Sequence, residues 1–72
     1  MNDFTFEITE HIATLSTRGT WTLELNLVSW GGRKPTYDLR KWSADHTKMS
    51  KGISLTQDEF NALLALGVPS AI

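Results

Sequence analysis

The segment from Trp21 to Trp30 alternates strictly between two sets of side chains, and this pattern most limits what the chain can form. Successive side chains of a β-strand point to opposite faces of a sheet, so a period of two over ten residues predicts a strand and argues against a leucine-rich helix. We expect the leucine-bearing side to face the core. By this periodicity Trp21 is a core residue rather than a contact for a ligand. The leucine side comprises Trp21, Leu23, Leu25 and Leu27, and the other side comprises Thr22, Glu24, Asn26, Val28 and Trp30.

Shorter alternating or β-branched runs predict three further strands. A first strand is expected over 4–8 and a second over 12–17, separated by a turn at 9–11. Arg18-Gly19-Thr20 predicts a tight turn before the Trp21 strand, since glycine adopts positive φ without steric cost. A fourth strand is expected from Thr36 to Trp42.

One helix is predicted near the end of the chain, after a polar loop over 43–50 and a lead-in segment over 51–55. Thr56 as N-cap and Glu59 three residues later form the pattern of a capping box. Gly67 suits the position after the helix, and Pro69 prevents its continuation. At about eleven residues such a helix is unstable alone and must pack on a sheet or a partner. The predicted fold is therefore α+β, in the order β-β-β-β-α.

Charge is distributed unevenly along the chain. The stretch 33–51 holds six of the seven basic residues against two acidic ones, a net +4, and the remainder carries one basic against six acidic residues, a net −5. Trp30, Tyr37 and Trp42 lie within or beside this basic block. Cations beside flat aromatic rings favour a polyanion with bases that can stack, which describes single-stranded nucleic acid better than a duplex.

The size of the chain favours a single domain, residues 1–72, and an assembly of more than one copy. A chain of 72 residues buries only roughly 60% of its unfolded surface, so its stability as a monomer is marginal. It has no cysteine to form disulfides, which leaves oligomerisation as a source of stability. With neither a signal-peptide pattern nor a long apolar run, we expect a cytoplasmic, nucleoid-associated protein without contact with membranes.

Catalysis and cofactors are not expected. His11 and His46 are the only histidines, and no metalloprotease or phosphate-loop motif is present. Asp45-His46 could hold a metal or act as a base, but solvated loop residues are the more common case. We therefore expect no metal, no cofactor and no enzyme.

The candidate site consists of basic and aromatic side chains for phosphates and bases. Trp30, Arg40 and Trp42 are expected to project from the polar sides of their strands, so Trp42→Ala should weaken binding by roughly 1–3 kcal/mol without unfolding the domain. Solvated charges remain an alternative for Lys48, Lys51 and Arg18. The predicted nucleic-acid-binding residues are Arg18, Trp21, Trp30, Arg33, Lys34, Arg40, Trp42, Lys48 and Lys51.

A short stretch before the helix resembles a known family signature. Met49-Ser50-Lys51-Gly52-Ile53-Ser54-Leu55, followed by the helix that begins after Thr56, is similar to the signature of the transcriptional positive cofactor four family. The strand ending at Trp30 resembles the family's second long strand. The strand over 35–42 resembles the compact bacterial YdbC-like branch. The resemblance covers about residues 4–66.

This resemblance implies a curved four-stranded antiparallel sheet with one helix, assembled as a homodimer. It implies binding of single-stranded DNA with little sequence preference, and roles in transcription, replication or repair. Lys51 matches the signature lysine, Trp30 lies near the family's binding aromatic, and Arg18 and Trp21 lie where the family has a basic-aromatic contact. RNA is a further candidate ligand. An alternative is a protein-interaction module that contacts the transcription machinery, and an interaction with transcription or repair proteins is compatible with either.

Overall fold

A computed structural model describes residues 5–66. It contains four strands followed by one helix, and the strands form a single antiparallel sheet in the order β1-β2-β3-β4. The expected β-β-β-β-α order and the antiparallel sheet are thus confirmed. The elements are β1 (Phe6–Arg18), β2 (Trp21–Trp30), β3 (Thr36–Ser43), β4 (Ile53–Leu55) and α1 (Gln57–Ala65).

The predicted turn at 9–11 is wrong, because β1 runs without interruption through those residues. Its pairing with β2 shifts register at three places, between Ile8 and Glu10, His11 and Ala13, and Thr14 and Ser16. A β-bulge adds a residue on one strand and so changes the phase of the alternation. Repeated changes of phase explain why the sequence of β1 looks like two short strands.

The lead-in segment before the helix contains the fourth strand, which sequence analysis missed. Its three residues pair with β3, with Ser54 opposite Asp38. The capping box is confirmed, since the Thr56 side chain accepts from the Glu59 amide and the Glu59 side chain accepts from the Thr56 amide. Gly67 and Pro69, the predicted stop, and Phe4 of the predicted first strand lie outside the described residues.

The sheet is strongly curved, as its ring contacts demonstrate. Phe6 pairs with Trp30 at one end of β2, and Trp42 pairs with Thr22 at the other. Eight residues of straight strand would separate Thr22 from Trp30 by about 26 Å. Yet the Phe6 ring lies 5.9 Å from the Trp30 ring and 5.3 Å from the Trp42 ring. Curvature brings both ends of the inner face together around one aromatic cluster.

The pattern of burial follows the curvature of the sheet, and the face that is buried is the opposite of the one predicted. Among described residues the fully buried side chains are Trp42, Val28, Asn26 and Asp38, and Glu24 is 4% exposed. They lie on the side of β2 and β3 that the sequence marks as polar, which we call the inner face. The side that carries Trp21 and the leucines, which we call the outer face, is only half-buried. The expectation that the leucine side, and not the side that carries Trp42, faces the core is therefore wrong for this fold.

Trp42→Ala tests the burial of the inner face. We expect a loss of about 3–5 kcal/mol in the free energy of unfolding, because a large buried side chain leaves a cavity behind. Urea denaturation followed by far-UV circular dichroism measures the loss. Lys48→Ala, at an exposed position, should change stability by less than about 0.5 kcal/mol. A Trp42→Ala protein as stable as the wild type would contradict the buried position.

Candidate nucleic-acid interface

The inner face is held by a network of polar side chains rather than by apolar packing alone. The Glu24 carboxylate accepts hydrogen bonds from Thr22 Oγ1 and from Asn26 Nδ2 at 3.1 Å. His46 Nε2 lies 3.0 Å from Glu24 Oε2, and His11 Nδ1 lies 3.6 Å from Oε1. Burial opposes ionisation of Glu24, but the hydrogen bonds from Thr22, Asn26 and His46 outweigh it and lower the pKa of this carboxyl. Glu24 is therefore a buried carboxylate that its neighbours stabilise in the charged form.

A second buried carboxylate fixes Arg40. Arg40 donates to Asp38 through Nε at 2.7 Å and through Nη2 at 2.8 Å, a bidentate pair. Its guanidinium carbon lies 4.6 Å from the centre of the Trp30 ring, and its remaining nitrogen reaches Met49 and Ser50. The Arg40 side chain is only 13% exposed. These contacts give Arg40 a structural role on the inner face.

The signature stretch supports that arrangement. A Cβ on Gly52 would lie 2.4 Å from Arg40 Cβ and 2.5 Å from the Leu39 carbonyl oxygen, so only glycine fits there. Ser54 Oγ donates to Asp38 Oδ2 at 3.2 Å. Two residues of the signature therefore pack against the Asp38–Arg40 pair.

The outer face carries a basic-aromatic site at one end of the sheet. A cavity of about 680 Å³ there joins Trp21 of β2, Arg18 of β1 and Lys41 of β3, and its other lining residues are Ser16, Leu23 and Ser50. The grouping follows from register, because Arg18 pairs with Trp21 and Lys41 pairs with Leu23. We call Arg18, Trp21 and Lys41 the outer basic site. A half-buried indole between two exposed cations can hold one base and its flanking phosphates.

The other predicted cations fall into two groups. Lys48 lines a neighbouring cavity with Thr20, and Lys51 follows Ser50, which lines the cavity of the outer basic site, so both lie at the same end of the sheet. Arg33 and Lys34 lie in the connection between β2 and β3 at the opposite end, where Lys34 lines a cavity beside Tyr37 and the start of α1. The structure therefore divides the basic block between the two ends of the sheet.

The tryptophans predicted for binding have different surroundings. Trp30 is half-buried beneath Arg40 and beside Phe6, and Trp42 is fully buried. Trp21, which periodicity favours as a core residue, is half-buried on the outer face and lines the cavity of about 680 Å³. Direct base contacts by Trp30, Arg40 and Trp42 stay predictions, and the geometry favours Trp21.

Sequence reasoning missed Lys41 and the inner polar network. Lys41 shares the phase of Leu39 on β3, a signal that it lies on the outer face, but its proximity to Arg18 depends on strand register. In the described part of the chain, no three His, Asp or Glu side chains are grouped to hold a metal ion. Across residues 5–66, no helix has the length and apolar character needed to cross a membrane.

Fold and site together define a small sheet protein with a cationic, aromatic surface suited to a flexible polyanion. Residues 18–66 match the model of the transcriptional coactivator p15 (PC4) family. The chain is also 51% identical over 63 residues to an uncharacterized protein of Treponema pallidum (strain Nichols), covering 86% of this chain and 74% of that one. The chain belongs to the PC4 family, and the predicted resemblance to the positive cofactor four proteins is confirmed. This membership supports a DNA-binding, coactivator-like function.

Acid titration tests the charged state of Glu24. Its pKa is lowered in the folded protein, so its contribution to stability is present above the unfolded value near 4.5 and is lost as pH falls through the folded value. We expect the free energy of unfolding, measured by urea denaturation, to fall below about pH 4.5. Glu24→Gln should be less stable at pH 7 and should show a shallower acid dependence.

Asp45 contributes to the acid dependence at still lower pH, because hydrogen bonds from Thr47 and Ser43 lower its pKa to about 2.

Glu7→Gln, at an exposed position on β1, is the matched control for Glu24→Gln and should keep the wild-type profile. Superimposable acid profiles for Glu24→Gln and the wild type would contradict the buried-carboxylate assignment.

Proposed function

We propose that this protein is a dimeric single-stranded DNA-binding protein with little sequence preference, which acts in transcription or in replication and repair. Binding uses the outer basic site, extended by Lys48 and Lys51. The observation that carries the proposal is the junction of Trp21 with Arg18 and Lys41 at one cavity, in a chain of the PC4 family.

The chemistry of this site fits a single strand. Phosphates are neutralised by exposed cations without regard to sequence. A base that is already paired and stacked cannot lie on an indole, whereas an unpaired base can. The lining of the cavity provides hydroxyl groups and aliphatic surface but no carboxylate, so its electrostatic character favours an anion. Single-stranded RNA offers the same phosphates and bases, and it is a second candidate ligand.

The dimer is supported by apolar surface on α1 and on the edge strand β4. Leu64 is 63% exposed and Leu63 is 48% exposed on α1, and Ile53 of the edge strand β4, which contacts α1, is 56% exposed. Tyr37 and Phe60 stack at 3.9 Å where the helix meets the sheet. A second copy that covers α1 and the β4 edge would leave β1 and β2, which carry Arg18 and Trp21, open on the other side of the sheet.

We propose that the protein binds without catalysis and acts in the cytoplasm with the nucleoid. A protein-interaction module remains the alternative. In that case the exposed leucines would bind a component of the transcription machinery, and the outer basic site would meet an acidic protein surface. An oligonucleotide that fails to bind at low salt would favour this alternative.

Binding of oligo-dT by Trp21 and Arg18 variants tests the outer basic site. We expect Trp21→Ala to weaken binding by roughly 1–3 kcal/mol, the range for one stacked base. Arg18→Ala should reduce the salt slope, d log K/d log[salt], by about 0.7, since one phosphate contact is lost. Fluorescence anisotropy with a labelled strand at several salt concentrations measures both.

Two controls accompany this measurement. Trp21→Phe retains an aromatic face and should keep most of the affinity, and thermal unfolding verifies that each variant is folded. Equal affinity of Trp21→Ala and the wild type would contradict the role of this site.

Leu64→Lys tests the dimer. A charge in an apolar contact is costly to bury, so we expect this variant to sediment as an 8.1 kDa monomer while the wild type sediments as a dimer. Ala65→Lys, at an exposed position about 100° around the helix from Leu64, should remain dimeric. A wild-type chain that sediments as a monomer at micromolar concentration would refute the dimer.

A further inference from the structure

The loop between β3 and β4 contacts the inner face near its end, where Met49 and Ser50 meet Arg40, and in its middle, where His46 meets Glu24. His46 lies in this loop with φ of 60°, in the left-handed region, which histidine, asparagine and aspartate enter more readily than other non-glycine residues. This conformation directs the ring inward. Its Nε2 lies 3.1 Å and 3.0 Å from the two oxygens of Glu24 on β2, and the ring centre lies 5.5 Å from that of Trp42.

The partner of His46 is a buried carboxylate that other hydrogen bonds hold in place. Glu24 is 4% exposed, and Thr22 and Asn26 also hold its carboxylate. His46 has a 40% exposed side chain, so a proton can reach its ring from solvent. A buried fixed carboxylate facing an accessible imidazole is an arrangement whose strength depends on the charge of the imidazole, which changes between pH 5 and 8 in most proteins.

We propose that His46 is a proton-sensitive latch that holds the β3–β4 loop against buried Glu24. The charged imidazole makes a charge-assisted pair with the carboxylate, and the neutral imidazole makes a weaker hydrogen bond. The loop carries Lys48 and leads to Lys51, which extend the outer basic site. The consequence for DNA rests on the proposed function: a held loop presents these lysines, and a released loop does so less effectively.

Other charged groups near the latch do not duplicate this role. His11 of β1 approaches Glu24 from the opposite side, but its Nδ1 lies 2.7 Å from the Asn26 amide oxygen and 3.6 Å from Glu24. Asp38 and Arg40 of β3 pair with each other. Within the loop, Asp45 is bound by Ser43 and Thr47.

Three backbone hydrogen bonds of the loop provide a readout in the free protein. The amides of Ser43, His46 and Ser50 donate to the carbonyl oxygens of Lys48, Ser43 and Lys41 at 3.0, 2.9 and 2.9 Å. Their protection factors against hydrogen exchange report whether the loop is attached, independently of any ligand. We expect protection in the wild type to fall by roughly three- to ten-fold from pH 5.5 to pH 8, the difference between a charged and a neutral hydrogen bond.

Two variants make the experiment specific. His46→Asn keeps the left-handed backbone but is too short to reach Glu24, so its loop protection should be low and constant with pH. His11→Gln removes the other imidazole and should keep the wild-type pH dependence. A wild-type loop whose protection does not change with pH, or a dependence that survives in His46→Asn or disappears in His11→Gln, would overturn the latch.

Oligo-dT affinity at constant ionic strength tests the consequence for binding. The ratio of wild-type affinities at pH 5.5 and pH 8 should exceed the ratio for His46→Asn by at least roughly three-fold, matching the change in loop protection. Equal ratios would overturn the coupling of the latch to the DNA site. Failure of oligo-dT to bind at any pH would overturn the proposed function but not the latch. Hydrogen exchange in the free protein tests the latch separately.

Discussion

The arrangement of the site depends on the curvature of the sheet around the aromatic cluster of Phe6, Trp30 and Trp42. A flat sheet would place Trp30 and Trp42 near opposite ends, but their contacts with Phe6 draw these ends together. The bulges of β1 allow such bending, because an added residue lets one strand curve around its neighbour. One face closes and becomes the core of a single-layer sheet. The other face stays half-buried and carries the outer basic site.

An inner face rich in polar groups is stable because those groups are paired. Glu24 and Asp38 are buried carboxylates, and each has several donors within hydrogen-bond distance. Such networks are costly when one member is missing, since the remaining charge stays buried without compensation. Gly52 and Ser54 of the family signature serve this network. In this chain, part of the signature therefore supports the fold.

Local patterns in the sequence were sufficient for the elements with strong local signals. β2 has an unbroken alternation, and the helix start has a capping box, so both were predicted close to their observed bounds. The sequence predicts two strands in place of β1 because the bulges interrupt its alternation. β4 is missed because a strand of three residues is too short to show an alternation. Periodicity predicts burial of the wrong face of β2 and β3, because the choice of face depends on curvature, a tertiary property that periodicity does not contain. For the site, the predicted turn at Gly19 is enough to bring Arg18 next to Trp21. The proximity of Lys41 depends on the register of β2 and β3, which the sequence does not reveal.

The indole signals of the three tryptophans test the central claim most directly, because each reports a different part of the molecule. Trp21 lies in the outer basic site, Trp30 at the edge of the inner cluster and Trp42 inside it. In a heteronuclear NMR titration with oligo-dT, we expect the Trp21 indole N–H to shift most and that of Trp42 to remain nearly unchanged. Shifts confined to Trp42, or none at saturating oligonucleotide, would contradict binding at the outer basic site.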